Sequence, residues 1–215
     1  MKTYQAERER MVDFQIARRG IRDERVLSVM RSVPRHLFLP EESWDYAYTD
    51  GPIRIGSGQT ISQPYIVALM TDLLDIQSHH KVLDVGTGSG YQAAILSELA
   101  EEVHTIERHP ELAESAEKRL ASLGYDNIRV HMGDGTQGYA PCAPYDRILV
   151  AAAAPSAPKP LLDQLNDGGR LVIPVGSRFS QRLEVWDRMA KNFHKQSDIA
   201  VVFVPLIGKD GWNKA

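Results

Sequence analysis

The amino-acid sequence predicts an α/β fold: a mostly parallel, doubly wound sheet that ends in an antiparallel strand pair, preceded by an N-terminal helical appendage. Three observations predict it. From Pro64 onward, strand-like and helix-like segments alternate, the pattern of a parallel sheet with right-handed crossovers. The last two strand-like runs leave no room for a helix between them, so the sheet closes with a reversal. Ahead of Pro64 the character differs, with two helical stretches followed by a segment rich in proline, glycine and aromatics.

Taken in order, residues 4–19 carry Met11, Phe14 and Ile16 at helix-like spacing, and residues 23–32 form a second short helix that starts at an acidic cap and stops before Pro34. Residues 35–60 read as irregular, and a loop of that length in a compact domain ordinarily serves a function. Residues 64–75 form a helix with proline in its first turn. A strand at 81–85, a helix at 91–98, a strand at 103–106 and a helix at 110–123 closed by Gly124 follow. Strands at 128–132 and 147–150 come next, then a helix at 159–165 closed by Gly168 and Gly169. Strands at 169–175, 182–186 and 199–204 complete the sheet. Without repeats or a long linker, the chain reads as one domain over 1–215, in which 1–63 precede and cover a core at 64–215.

The bulk numbers narrow the function. A chain of 215 residues with 43% hydrophobic and 25% charged content is globular in composition. Its net charge of −3 argues against a nucleic-acid partner, and the N-terminal arginines alternate with acids as on a solvated helix face. No apolar run approaches a membrane span, and the opening residues lack a signal-peptide core. One cysteine, Cys142, builds no disulfide framework, which suits a reducing cytoplasm. The seven histidines show no ligand spacing, so no metal site is expected.

The most informative local feature is Asp84-Val85-Gly86-Thr87-Gly88-Ser89-Gly90, directly after the first strand of the alternating region and directly before a helix. Alternate glycines let the backbone approach a ligand, and the helix N-terminus behind them offers unpaired N–H groups. Dinucleotide enzymes use similar turns. Here the spacing is G-x-G-x-G, without the third glycine of the dinucleotide fingerprint at its usual place, which favours S-adenosylmethionine. Glu107 ends the second parallel strand, where an acid is placed to accept both ribose hydroxyls of an adenosine. The third strand ends in Gly133-Asp134-Gly135; Asp134 either accepts from an adenine amino group or closes an ordinary turn.

With those residues in view, the sequence resembles the protein-L-isoaspartate O-methyltransferase family along nearly its whole length. The resemblance runs through Val33-Pro34-Arg35-His36-Leu37-Phe38, residues 55–65 with the run GQTISQP, residues 82–91 (VLDVGTGSGY), Gly133-Asp134-Gly135, residues 168–176 and Phe203-Val204-Pro205-Leu206. The glycine run is common to class I methyltransferases with a Rossmann-like core; GQTISQP is characteristic of this one family. The resemblance implies a cytoplasmic repair enzyme, expected to work as a monomer. It would methylate L-isoaspartyl residues of damaged proteins and peptides with S-adenosyl-L-methionine, releasing S-adenosyl-L-homocysteine. It also implies Ser62 as the active-site serine, with Thr60 and Ile61 beside it positioning the substrate. The implied cofactor contacts are Asp84, Gly86, Thr87, Gly88, Ser89, Gly90, Glu107, Asp134 and Gly135, with Gln181 reaching in from the tail of the sheet. Two positions depart from the family pattern: Ala151 stands where a threonine is common, and Thr136 where a tryptophan often follows the Gly-Asp-Gly turn.

The chemistry fits the absence of any Ser/His/Asp or Cys/His set. An isoaspartyl residue carries a free α-carboxylate that is ionised at neutral pH, so it is already the nucleophile. The protein's task is alignment and exclusion of water. The ester then cyclises to a succinimide, and hydrolysis returns part of it to aspartate. The competing readings are a small-molecule methyltransferase of the same fold, a binding protein without transfer activity and, more distantly, a nicotinamide dehydrogenase.

Overall fold

The computed structural model describes residues 4–213. At its centre lies β3 (Lys81–Val85), buried along nearly its whole length. β4 (Glu102–Glu107) and β5 (Ile128–Met132) extend the sheet to one side of β3. β6 (Tyr145–Val150), β7 (Leu165–Gly176), β8 (Gln181–Met189) and β9 (Asn192–Val201) extend it to the other, in the order β5-β4-β3-β6-β7-β8-β9. Pairing is parallel from β5 to β7 and antiparallel for β7–β8 and β8–β9. The reversed tail expected from the sequence is therefore present. Because β4 and β6 flank β3 while the chain runs outward in opposite directions, the carboxyl ends of β3 and β6 bound a switch point, where open α/β sheets bind ligands.

Helices cover both faces for ordinary reasons. α3 (Pro64–Leu74) starts on Pro64, whose missing N–H is no loss in a first turn. It buries Val67, Ala68, Met70, Thr71 and Leu74. α4 (Tyr91–Ser97) is buried almost throughout, and α5 (Pro110–Ser122) buries Leu112, Ala113, Ala116 and Leu120 at helical spacing. α6 is shorter than expected, Lys159–Asp163. Gly168 and Gly169 do not close it; they lie inside the long strand β7.

The N-terminal appendage is welded to this core. The first helix runs from α1 (Gln5–Arg10) through a π-helical turn (Met11–Ile16) and a 3₁₀ turn (Ala17–Arg19). It buries Met11, Val12 and Ile16 in the cluster that also holds α3 and one face of the sheet. α2 (Glu24–Ser32) is capped by the Asp23 carboxylate, which accepts from the Arg25 N–H at 2.8 Å. The segment expected to be irregular is more ordered than its sequence suggested. It folds into 3₁₀ turns at Arg35–Phe38 and Glu41–Tyr46 and an antiparallel hairpin, β1 (Ile53–Gly56) with β2 (Gln59–Ile61). Partly buried Ile53 and Ile55 pack against the main core, so the hairpin sits down on the molecule.

Candidate active site

Two adjoining hollows meet beside Ser62. The first is a cavity of about 330 Å³ over the carboxyl ends of β3, β4 and β6. Val85 and Gly86 line it from β3, Ile106 and Glu107 from β4, and Ala151 and Ala152 from the end of β6. The hairpin and the residues after it, from Gly58 to Ser62, form one wall; Val204 to Ile207 form another. Val67 and Met70 of α3 add apolar surface. The second is a groove of about 670 Å³ lined by Arg19, Pro52, Tyr65 and residues 199–204. The two share Thr60, Ser62, Ala151 and Val204.

The glycine turn packs tightly against its neighbours. Gly86 has φ +101°, a conformation L side chains rarely adopt, and its N–H donates to the Ile106 carbonyl at 2.9 Å. Gly135, at the turn after β5, has no room for a side chain: a Cβ there would meet Val85 Cγ1 at 2.5 Å. Glu107 is buried, with every carboxylate contact directed at main chain. Its Oε2 accepts from Gly88 N–H at 2.9 Å, and its Oε1 accepts from the Arg108 and His109 N–H groups at 2.8 and 3.0 Å. It thereby ties the turn after β3 to the turn after β4.

Beneath the turn a buried chain of hydroxyls leads to Asp84. Thr105 Oγ1 donates to Asp84 Oδ2 at 2.8 Å and lies 2.7 Å from Thr87 Oγ1. Asp84 Oδ1 is buried without a partner. Burial pushes the Asp84 carboxyl up to about 7; the Thr105 hydrogen bond opposes this and the Glu107 charge adds to it. The folded protein therefore holds this proton over a window, from about 4 to about 7, in which the unfolded chain has released it. A native state that binds more protons loses stability as pH rises through that window. Asp84→Asn removes the titration, so chemical denaturation of the ligand-free protein at pH 5 and pH 8 should show a smaller loss in the variant than in the original chain. Equal losses would contradict the assignment.

Of the residues singled out in the sequence, Thr60, Ile61, Ser62, Gly86, Thr87, Gly88, Ser89, Glu107 and Gly135 line the cavity. Four others are not at its wall. Asp84 lies beneath the turn. Gly90 is the residue before α4. The Asp134 carboxylate is taken up by Thr136, accepting from its N–H at 2.9 Å and its hydroxyl at 2.7 Å, and by the Lys209 N–H at 2.8 Å. Gln181 is buried as a clamp, accepting from the Phe203 N–H at 2.9 Å and donating to the Ser177 carbonyl at 2.5 Å. Thr136, one of the two departures, also accepts from the Asp210 N–H at 3.1 Å, so it helps pin the chain's end over the sheet.

Sequence reasoning left several wall residues without a role: Met70, Gln92, Arg108, His109 and Ile207. The last strand is expected to run to Val204, but β9 ends at Val201 and the chain then crosses the strand ends to line both hollows. Only the Phe203-Val204-Pro205-Leu206 match pointed there.

Comparisons with known proteins identify the family. The family model described as protein-L-isoaspartate(D-aspartate) O-methyltransferase matches residues 6–211. The chain belongs to this family. A Methanoculleus marisnigri protein-L-isoaspartate O-methyltransferase is 56% identical over 209 residues, 96% of this chain and 94% of the relative. A Syntrophobacter fumaroxidans protein of the same name is 53% identical, covering 99% of each. Among solved structures, a protein-L-isoaspartate O-methyltransferase superposes with a TM-score of 0.84 at 26% identity, over 95% of this chain and 67% of that one. A Plasmodium falciparum structure described as a beta-aspartate methyltransferase in complex with S-adenosyl-L-homocysteine gives 0.80 at 26% identity, over 93% and 98%. The fold is that of class I methyltransferases. Among the described residues, no helix is long and apolar enough to cross a membrane.

Proposed function

We propose that this chain transfers a methyl group from S-adenosyl-L-methionine to the free α-carboxylate of L-isoaspartyl residues in damaged polypeptides. The observation that carries the proposal is the meeting, at Ser62, of the cavity over the glycine turn with a second, larger groove. The first suits a compact cofactor and the second an extended chain.

The residues present fit the cofactor. The missing side chain at Gly135 and the left-handed backbone at Gly86 leave main chain at the cavity wall. Glu107 is held by three N–H groups and lines the same wall, which leaves one acceptor site on Oε2 for a ribose hydroxyl. Gly86 to Ser89 and Gly135 complete the contacts, while Asp84, Gly90, Asp134 and Gln181 hold the wall from behind. When bound, S-adenosyl-L-methionine supplies a sulfonium-activated methyl group. The Ser62 hydroxyl donates to one carboxylate oxygen and leaves the other free to attack, and Thr60 flanks it. Buried Ile61 anchors the strand between them. Val67, Met70 and Leu206 keep water from the line of attack. The acceptor is ionised at neutral pH, so no general base enters.

The same reading makes residues 4–213 one working unit, acting as a cytoplasmic monomer on damaged proteins and peptides. A groove continuous with the cavity favours a polypeptide over a small acid. Incubation with radiolabelled S-adenosyl-L-methionine should place base-labile label in an isoaspartyl peptide and none in a free dicarboxylic acid. Label in the acid alone would establish the small-molecule reading instead.

A further inference from the structure

Arg35 is a buried cation for which the mechanism above has no use. It sits on the 3₁₀ turn Arg35–Phe38 and is 0% exposed. Its Nε–H donates to the Ala47 carbonyl at 2.8 Å and its Nη2–H to the Ser62 carbonyl at 2.8 Å. Its Nη1 is buried without a partner. The Tyr91 ring, which lines the cavity, lies 5.0 Å from its Cζ. Among the described residues no carboxylate is paired with it. Burial lowers its pKa to about 10, so it stays charged at neutral pH.

Two loops can be tied together by neutral donors, whereas an unpaired buried cation is costly. The cost is offset if an anion arrives nearby, because attraction is strong where water is excluded. The group expected in front of Ser62 is a carboxylate. Arg19 of the groove pairs with Asp50 at 3.2 Å, and Arg108 lines the cavity at the end of β4, next to Glu107.

We propose that Arg35 is a positioning residue for the acceptor, fixing the main chain of Ser62 and supplying, from behind it, the positive charge that favours an anionic substrate. This rests on the reading in which Ser62 faces the isoaspartyl carboxylate.

The test is calorimetric titration in the presence of S-adenosyl-L-homocysteine. Two peptides are compared: an isoaspartyl peptide and its twin with the α-carboxylate replaced by a primary amide. The original chain should prefer the anionic peptide. Arg35→Met should erase about tenfold of that preference, weakening the anionic peptide more than the neutral twin, which loses only what the fixed main chain of Ser62 contributed. Arg35→Lys should keep most of the preference while lowering kcat, because one point donor cannot hold both carbonyls. If Arg35→Met fails to fold, judged by lost S-adenosyl-L-homocysteine binding, Arg35→Gln removes the charge and keeps donors, with the same expectation. Equal weakening of both peptides, or an unchanged preference, would overturn the electrostatic role. An original chain that binds neither peptide would instead overturn the proposed function on which this role rests.

Discussion

Glu107→Ala should weaken S-adenosyl-L-methionine binding by at least about tenfold while the protein remains folded. The carboxylate gathers three main-chain N–H groups from two turns and faces the cavity that we assign to the cofactor. A hydrogen bond to a charged group is worth roughly 1.5–3 kcal/mol, and each 1.4 kcal/mol or so is a factor of ten in affinity. Losing the ribose contact alone therefore accounts for the lower bound. The loss should be larger, because the Gly88, Arg108 and His109 N–H groups lose their acceptor together and the glycine turn is released. Glu107→Gln should fall between, since its amide nitrogen cannot accept from the donors that one carboxylate oxygen now serves. Calorimetric titration with S-adenosyl-L-homocysteine measures both; unchanged affinity in the alanine variant would remove Glu107 from the site.

Ser62→Ala should lower kcat by roughly ten- to a few-hundred-fold, the equivalent of one charge-assisted hydrogen bond of about 1.5–3 kcal/mol. The alternative role, a covalent nucleophile that takes the methyl group first, predicts near-abolition of turnover. The structure argues for orientation. Among the described residues the Ser62 hydroxyl has no hydrogen-bonded base; the residue is held through its carbonyl by Arg35. A neutral serine is a weak nucleophile, and the acceptor carboxylate is already ionised, so an intermediate adds a step without lowering a barrier. Thr60 lines both hollows with Ser62 and can replace part of its hydrogen bonding, which moves the loss toward the smaller figure. Steady-state kinetics on the variant, with cofactor affinity measured separately, distinguish the two roles. A methylated Ser62 trapped in the original protein would contradict orientation whatever the size of the defect.

How much of this was legible in the sequence differs by region. The bounds of β3 were readable because a short apolar run flanked by turns has few other ways to be buried, and those of β5 because Ile128 and Val130 alternate with exposed Arg129. β9 was misplaced by seven residues at its start, expected at 199 and found at Asn192. Its first residues, Asn192, His194, Lys195 and Gln196, are polar and exposed, and they become strand by pairing with β8 rather than by any pattern of their own. The hairpin at Ile53–Ile61 escaped notice because its two strands are too short for alternation to register.

The site was legible where one residue type at a strand end carries the chemistry, as with Glu107 and the glycine turn. It was not legible where a side chain is claimed by a distant partner. Asp134 reads in sequence either as an adenine contact or as part of a turn, and its carboxylate is taken up by Thr136 and by the N–H of Lys209, 75 residues later. Gln181 likewise spends both ends of its amide on main chain 4 and 22 residues away. Arg35 was visible only as a letter in a motif, since its burial and its two carbonyl partners are products of tertiary folding.

The central claim is that the site recognises a carboxylate by the path of the backbone beside it. An isoaspartyl peptide and its aspartyl twin carry carboxylates of similar basicity, so only geometry distinguishes them. Radiolabelled methyl transfer to the two peptides, under identical conditions with S-adenosyl-L-methionine, is the most direct measurement. The account predicts base-labile label in the isoaspartyl peptide and essentially none in its twin. Equal labelling of the two would contradict it.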